Sequence, residues 1–409
     1  MTGPNPRKDL GAVVLATVTA SLPVFLVGTM AVEIRHSLHF GTAALGLLVA
    51  VYYLGAASAS VPASRLAEAV GGVRVMRGAA LAVALVSGLV AGVASSWAAL
   101  AVLMALAGMS SGSMGPASNL FLVRRTDQGG QGLAFGIKQA AVPLAALLGG
   151  VAVPAVALSL GWRWAFGFAS LLSLVAVVVI PAPRVALGER RRLLRGQTRA
   201  PVRSVPLVVL SLGLSLGVAA SSGAAAFLVS AAVGLGFAKG TAGLVAALAG
   251  ASAVVTRVLI GARADRRGGR HFPVIALMLA IGALGYLLLA ASAAASNRPL
   301  FVGGAVLALG SGWGWNGLFN FAVIRTHLHA PASATGVTQV GGRLGGMAGP
   351  AVLGAVAAQD SFGVAWLVAA GAAAGGACAM LMGRALLVRS RSERGAPTPN
   401  GHHPAPQSP

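Results

Sequence analysis

The chain has 409 residues, 56% of them hydrophobic and 9% charged, and a mean hydropathy of +0.83. A soluble protein carries about 25% charged residues, and no soluble fold hides that much apolar surface, so a water-soluble enzyme or binding domain is excluded. The formal charge of +22 would point to nucleic acid in a soluble protein. Here the Lys and Arg lie almost wholly in short connectors between apolar runs, which is where topology-determining charge sits, and no nucleic-acid partner is expected.

A bilayer crossing needs about 20 apolar residues. The first run, from about Ala12 to Val32 behind Arg7 and Lys8, is longer than a signal-peptide core and eleven more follow it, so it reads as span 1. Apolar runs then place spans at 12–33, 42–62, 73–94, 97–122, 131–157 and 163–181, and at 205–233, 241–262, 272–294, 299–324, 333–357 and 362–388. The fold class expected is an all-α integral membrane protein of twelve transmembrane helices. With the N-terminus in the cytoplasm, the internal segments hold 23 Lys and Arg. The external connectors hold only Arg35, Arg163, Lys239 and Arg298. That bias predicts a multi-pass plasma (inner) membrane protein with both termini cytoplasmic. Arg190, Arg191, Arg192, Arg195 and Arg199 lie in the longest internal connector, which divides the spans six and six. The domains expected are 1–183, an N-terminal six-helix bundle; 184–204, a basic cytoplasmic linker meeting anionic headgroups of the lipid bilayer; 205–388, a C-terminal six-helix bundle; and 389–409, a disordered tail rich in Pro and Ser. The 57 glycines suit close helix packing, for which Gly108/Gly112, Gly132/Gly136 and Gly345/Gly349 have the spacing.

The two halves repeat. At an offset of 197, Phe40, Gly46, Glu68 and Gly71 match Phe237, Gly243, Asp265 and Gly268; farther on, Asn119 and Arg124 match Asn320 and Arg325, and Gly136 and Gln139 match Gly336 and Gln339. Two pseudo-symmetric six-helix bundles with a solute site between them follow. Between spans 8 and 9, Gly261, Asp265, Arg266, Gly268 and Arg270 form a segment that resembles the G-x-x-x-D-R-x-G-x-R loop of the major facilitator superfamily. The corresponding loop of the first half, Ser64 to Gly71, is a degraded copy with Glu68 for Asp and Gly71 retained. In that superfamily the first copy is usually the stronger, so the departure moves the gating role to the second. The resemblance implies a secondary transporter working by alternating access, with helices 1, 4, 7 and 10 lining the central cavity. In physical terms, the carboxylate of such a loop can cap the next helix or pair with a facing arginine.

Three basic residues fall inside spans, where charge is costly and marks function. Arg343 lies near mid-depth of span 11 and shares a face with Gln339; its repeat equivalent is Pro143. Lys138, beside Gln139, is only about six residues into span 5 and has a stem long enough to snorkel. Arg257 reads as a snorkelling or latch residue near the cytoplasmic end of span 8. All eight Asp and Glu fall in termini, connectors or helix ends, with Glu33 closest to a span interior. A cavity holding Arg343 and Lys138 without an acidic partner is electropositive and selects an anion. The substrate-binding set expected is Arg343, Gln339, Lys138, Gln139, Asn119, Trp313, Asn316 and Asn320. Ser111, Ser113, Thr19, Thr29, Tyr52, Tyr53 and Trp315 are supporting groups.

The function expected is therefore secondary active transport of a small organic or inorganic anion. Efflux of hydrophobic neutral or cationic compounds is the alternative. H+ is the coupling ion considered, with Glu33 the one candidate carboxylate, and the chain is expected to act as a monomer. All seven histidines lie outside the span cores, with no catalytic pair or metal cluster at membrane depth. No Walker-type phosphate loop is present and the one cysteine, Cys378, lies in the last span. No cofactor, metal or enzymatic activity is expected, and a transporter-like sensor would carry an appended signalling domain.

Overall fold

The computed structural model describes residues 6–125, 131–182, 204–264, 271–327 and 331–395, and every regular element among them is helical. The first six spans are α1 (Pro6–Thr29), α2 (Thr42–Val70), α3 (Gly72–Val93), α4 (Trp97–Arg125), α5 (Gln131–Ala152, continuing through a π-helical turn Val153–Ala157 to Leu158–Leu160) and α6 (Trp162–Val179). The second six are α7 (Val205–Gly234), α8 (Lys239–Ala264), α9 (His271–Ala295), α10a and α10b (Arg298–Gly314 and Asn316–Thr326), α11 (Pro331–Gln359) and α12 (Phe362–Gly395). Ten of these are long and apolar enough to cross a membrane. The remaining two complete a twelve-helix bundle: α10 is broken at Trp315, and α11, at 29 residues, has ample length but is diluted by Gly, Thr and Gln.

Several boundaries differ from the hydropathy reading for local reasons. Span 1 stops at Thr29, and Glu33 belongs to a separate short helix, Ala31–Leu38. Pro154 lacks an N–H, and the end of α5 relaxes into its π turn there. Helix α12 runs on to Gly395, into the segment expected as tail. Residues 184–203 of the expected linker and 396–409 of the expected tail lie outside the described residues. Gly71 and Gly161, both at φ +95°, make the tight turns into α3 and α6. Asn297 caps α10a by accepting from the Leu300 N–H at 2.9 Å.

The helix pairs repeat between halves. Helix α1 packs on α5, α2 on α4 and α3 on α6; correspondingly α7 packs on α11, α8 on α10a and α9 on α12. The halves meet along two seams, α2 with α11 and α5 with α8, and α1 meets α7 between them. We call the side on which α1 begins and α12 ends the terminal side, and the opposite one the far side. On the far side a single apolar cluster runs through both halves, from Phe25, Leu48 and Phe166 to Phe227, Leu309 and Trp366. On the terminal side there are two clusters, one per half, built around Met76, Met114 and Phe121 and around Ile275, Phe319 and Met380. The halves are thus fused on the far side and parted on the terminal side.

Glycines make the fusion possible, because only a missing Cβ lets helix backbones touch. Gly243, Ala247 and Gly250 share one face of α8 and lie directly on Gly150, Leu147 and Pro143 of α5. Across the other seam Gly46 meets Pro350 and Gly354, and Gly28 of α1 lies 3.0 Å, measured from an ideal Cβ, from the Ala225 carbonyl oxygen of α7. Two of the three predicted small-residue pairs work inside the halves: Gly108/Gly112 against Tyr52 and Ala56, and Gly345/Gly349 against Ser215 and Ala219. Of the third pair, Gly136 lies in the terminal-side part of α5, where a Cβ would meet nothing within 4 Å.

An ion pair crosses the halves at the far-side rim, Lys239 Nζ to Glu33 Oε1 at 3.2 Å. Lys239 is about half exposed, so the pair is worth about 0.2–1 kcal/mol. Glu33→Gln or Lys239→Gln is accordingly expected to raise thiol labelling of far-side seam positions only about two- to fivefold. Exchanging the two charges should restore the wild-type rate; labelling that ignores both single changes would show that the pair does not hold the rim.

Candidate functional site

In each half the asparagine matched by the repeat anchors a polar station. On the first, Lys138 of α5 is 5% exposed and turns toward α4, donating from Nζ to the Gly115 carbonyl at 3.1 Å and to Asn119 Oδ1. Its stem does not snorkel to the interface; the ammonium is anchored between two helices. On the second, Gln339 of α11 donates from Nε2 to Asn320 Oδ1 of α10b at 3.0 Å. The equivalent asparagines therefore accept from equivalent helices, with a charged donor in one half and a neutral one in the other. Asn119 and Gln339 are exposed on the terminal-side part of the bundle, where the halves are parted.

Each seam carries an arginine supplied by the second half. Arg343, half-buried on α11, lies in electrostatic reach of Tyr52 on α2. The Tyr52 hydroxyl donates to the Ala20 carbonyl at 2.9 Å, and its ring meets Tyr53 edge-on at 5.5 Å. Arg257 of α8 is 5% exposed and bridges the halves. Its Nη1 donates to the Gln139 carbonyl of α5 and its Nη2 to the Trp313 carbonyl of α10a at 3.1 Å. The first acceptor is explained by sequence: residue 143, which would supply the helical N–H to Gln139, is proline. Ser60 does the same for Gly112, whose carbonyl is freed by Pro116, at 3.3 Å. The second acceptor lies where α10 breaks, and there Trp315 Nε1 donates to the Gly312 carbonyl at 2.7 Å.

Trp313 forms the centre of this contact. The Arg257 guanidinium lies 5.3 Å from its ring centre, and Phe25 of α1 packs on it at 5.6 Å. A cavity of about 10 Å³, room for one water at most, lies between α1, α2 and α7 with Phe25, Tyr53 and Ser222 in its wall. The Nε–H of Arg257 is buried without a partner. Arg125 pairs with Asp9 and Lys239 with Glu33, and among the described residues no carboxylate pairs with Lys138, Arg257 or Arg343.

The other expected site residues fall as follows. Asn316 begins α10b and is half-buried. Trp315 is fully buried as packing. Thr19 and Thr29 donate to carbonyls of their own helix, those of Ala16 and Phe25, at 3.1 and 2.9 Å. Of the gating motif, Glu68 is exposed on α2 and Gly71 begins α3 with no side-chain cap. Gly261 lies on α8 with open space where a Cβ would point. Asp265, Arg266, Gly268 and Arg270 lie outside the described residues. Of the two readings offered for Arg257, snorkelling or latch, the structure has it joining the halves and not snorkelling. Its signal was present as Pro143 four residues after Gln139, an acceptor without a helical donor.

A family model described as Major Facilitator Superfamily matches residues 13–350 and again 209–409. No curated protein matches the sequence.

Proposed function

The chain belongs to the major facilitator superfamily, a membership that makes it a secondary transporter, and from that premise we propose that it carries a small anion through a basic site between its halves. The observation that supports the reading is the trio Lys138, Arg257 and Arg343, placed inside spans, of which the first two donate to neutral acceptors and none pairs with a carboxylate among the described residues. Buried charge without a partner costs several kcal/mol, and a bound anion removes that cost. Asn119, Gln139, Trp313, Asn316, Asn320 and Gln339 complete the proposed site.

The proposed moving bodies are residues 1–183 and 205–388, joined by the basic linker 184–204. With the terminal side as the cytoplasm of the plasma membrane, the described conformation is inward-facing: sealed outside by the glycine seams and parted inside. The unit of transport is a monomer. Movement of a bare anion across a membrane carries about 2.3 kcal/mol per 100 mV per charge, and H+ moving with it would cancel that term.

Flux in proteoliposomes, measured with a panel of small organic anions and cationic dyes for wild type and Arg343→Ala, tests the reading. Anion flux is expected, falling about ten- to hundredfold in the variant as one charge-assisted contact is lost. Dye flux that is indifferent to Arg343, with no anion movement, would instead establish efflux of hydrophobic compounds.

A further inference from the structure

Resting on the anion reading, we infer that the substrate is a small dianion whose two charged groups are bound separately by Arg257 and Arg343. The two arginines stand in different seams, Arg257 between α5 and α8 and Arg343 between α2 and α11. Exchange of the halves interconverts these seams, so they flank the central α1–α7 contact on opposite sides. Each arginine has its own aromatic pair, Trp313 with Phe25 and Tyr52 with Tyr53. One member of each pair, Phe25 and Tyr53, meets at the small cavity between the halves, beside Ser222. The two cationic places are thus distinct, and their aromatic partners meet at one cavity.

Charge then decides the class. A monoanion seated at either arginine leaves the other inside the spans without an anionic partner, whereas a dianion compensates both. Each guanidinium presents a planar fork suited to a carboxylate, and Arg257 still has a buried Nε–H without an acceptor. Lys138 turns into its own half, toward Gly115 and Asn119 of α4, and is not one of the two seam arginines. Arg343 lies near the middle of α11, and Arg257 about one turn closer to the terminal side on α8. The two anionic groups are therefore at opposite ends of a short chain, as in a dicarboxylate, and not on one atom.

Proteoliposomes of the full chain, offered malonate, succinate and glutarate against propionate, butyrate and valerate, test this. Wild type is expected to take up at least one dicarboxylate about tenfold faster than the monocarboxylate of equal length. Arg257→Gln and Arg343→Gln should each lower that ratio about tenfold, and Arg257→Lys and Arg343→Lys should recover part of it. The ratio is internal to each preparation, so loss of folded protein does not change it. Monocarboxylates carried as fast as dicarboxylates, or a ratio unmoved in both Gln variants, would overturn the dianion assignment and leave the anion reading standing. Movement of neither series, with cationic dyes transported, would overturn both.

Discussion

Gly150→Leu is expected to leave the protein unable to close its far side. A Cβ at position 150 would lie 2.5 Å from the Ala247 nitrogen, 2.6 Å from the Gly243 oxygen and 2.9 Å from the Ala247 Cα. All three are backbone atoms of a continuous helix, so no rotamer change relieves the contact and α5 must part from α8. Overpacking of this kind costs about 1–3 kcal/mol. Because the far-side cluster spans both halves while the terminal-side clusters do not, the strain falls on one conformation and spares the other. The two-state balance should move toward far-side opening by about five- to 150-fold. Labelling checks it: with Cys378→Ser removing the native thiol and Ala226→Cys placed on α7 against Gly28, an impermeant maleimide added from the far side should react correspondingly faster. Net transport should fall, since a carrier that cannot close one gate does not cycle. Unchanged labelling in folded protein would mean that the seam tolerates separation without opening.

The second large effect concerns Arg257 and Pro143 together. Replacing Arg257 by Met removes the donor to two carbonyls, one of which, at Gln139, has no helical N–H to fall back on because of Pro143. A buried acceptor left without a partner costs about 1–3 kcal/mol, and Arg257→Met is expected to lower stability in detergent by that order, measured by SDS unfolding. Pro143→Ala restores an N–H at the position that α-helical geometry requires. In the Arg257→Met background it should therefore recover about 1 kcal/mol or more of the loss, while in the wild-type background it changes little. Additive effects of the two changes would show that the orphan carbonyl is not what holds Arg257 across the seam.

Two contacts were legible residue by residue. The repeat matched Asn119 with Asn320, and each accepts from the helix that follows it, from Lys138 in the first half and Gln339 in the second. What hydropathy missed was connectivity between helices. Arg257 is only a few residues from the end of its span, and depth alone left snorkelling and latch both open; the acceptor that draws it inward is on another helix of the other half. Glu33 was read as the end of span 1, and only the turn at Met30 puts it in a separate helix opposite Lys239. Trp315 and Trp313 look equivalent in sequence, yet the break in α10 makes one a buried donor to its own backbone and the other the platform for Arg257.

The sequence by itself determined that this chain lives in a bilayer as twelve helices in two repeated sets, because apolar length and the placement of charge answer to solvent alone. The tertiary structure alone decided which glycines seal the far side, which prolines free a carbonyl for a distant donor, and that the two arginines stand in separate seams. Fifty-seven glycines read alike along a chain; their roles differ only through the backbone that another helix brings against them, and a helical repeat fixes the face a residue occupies without saying what will pack there.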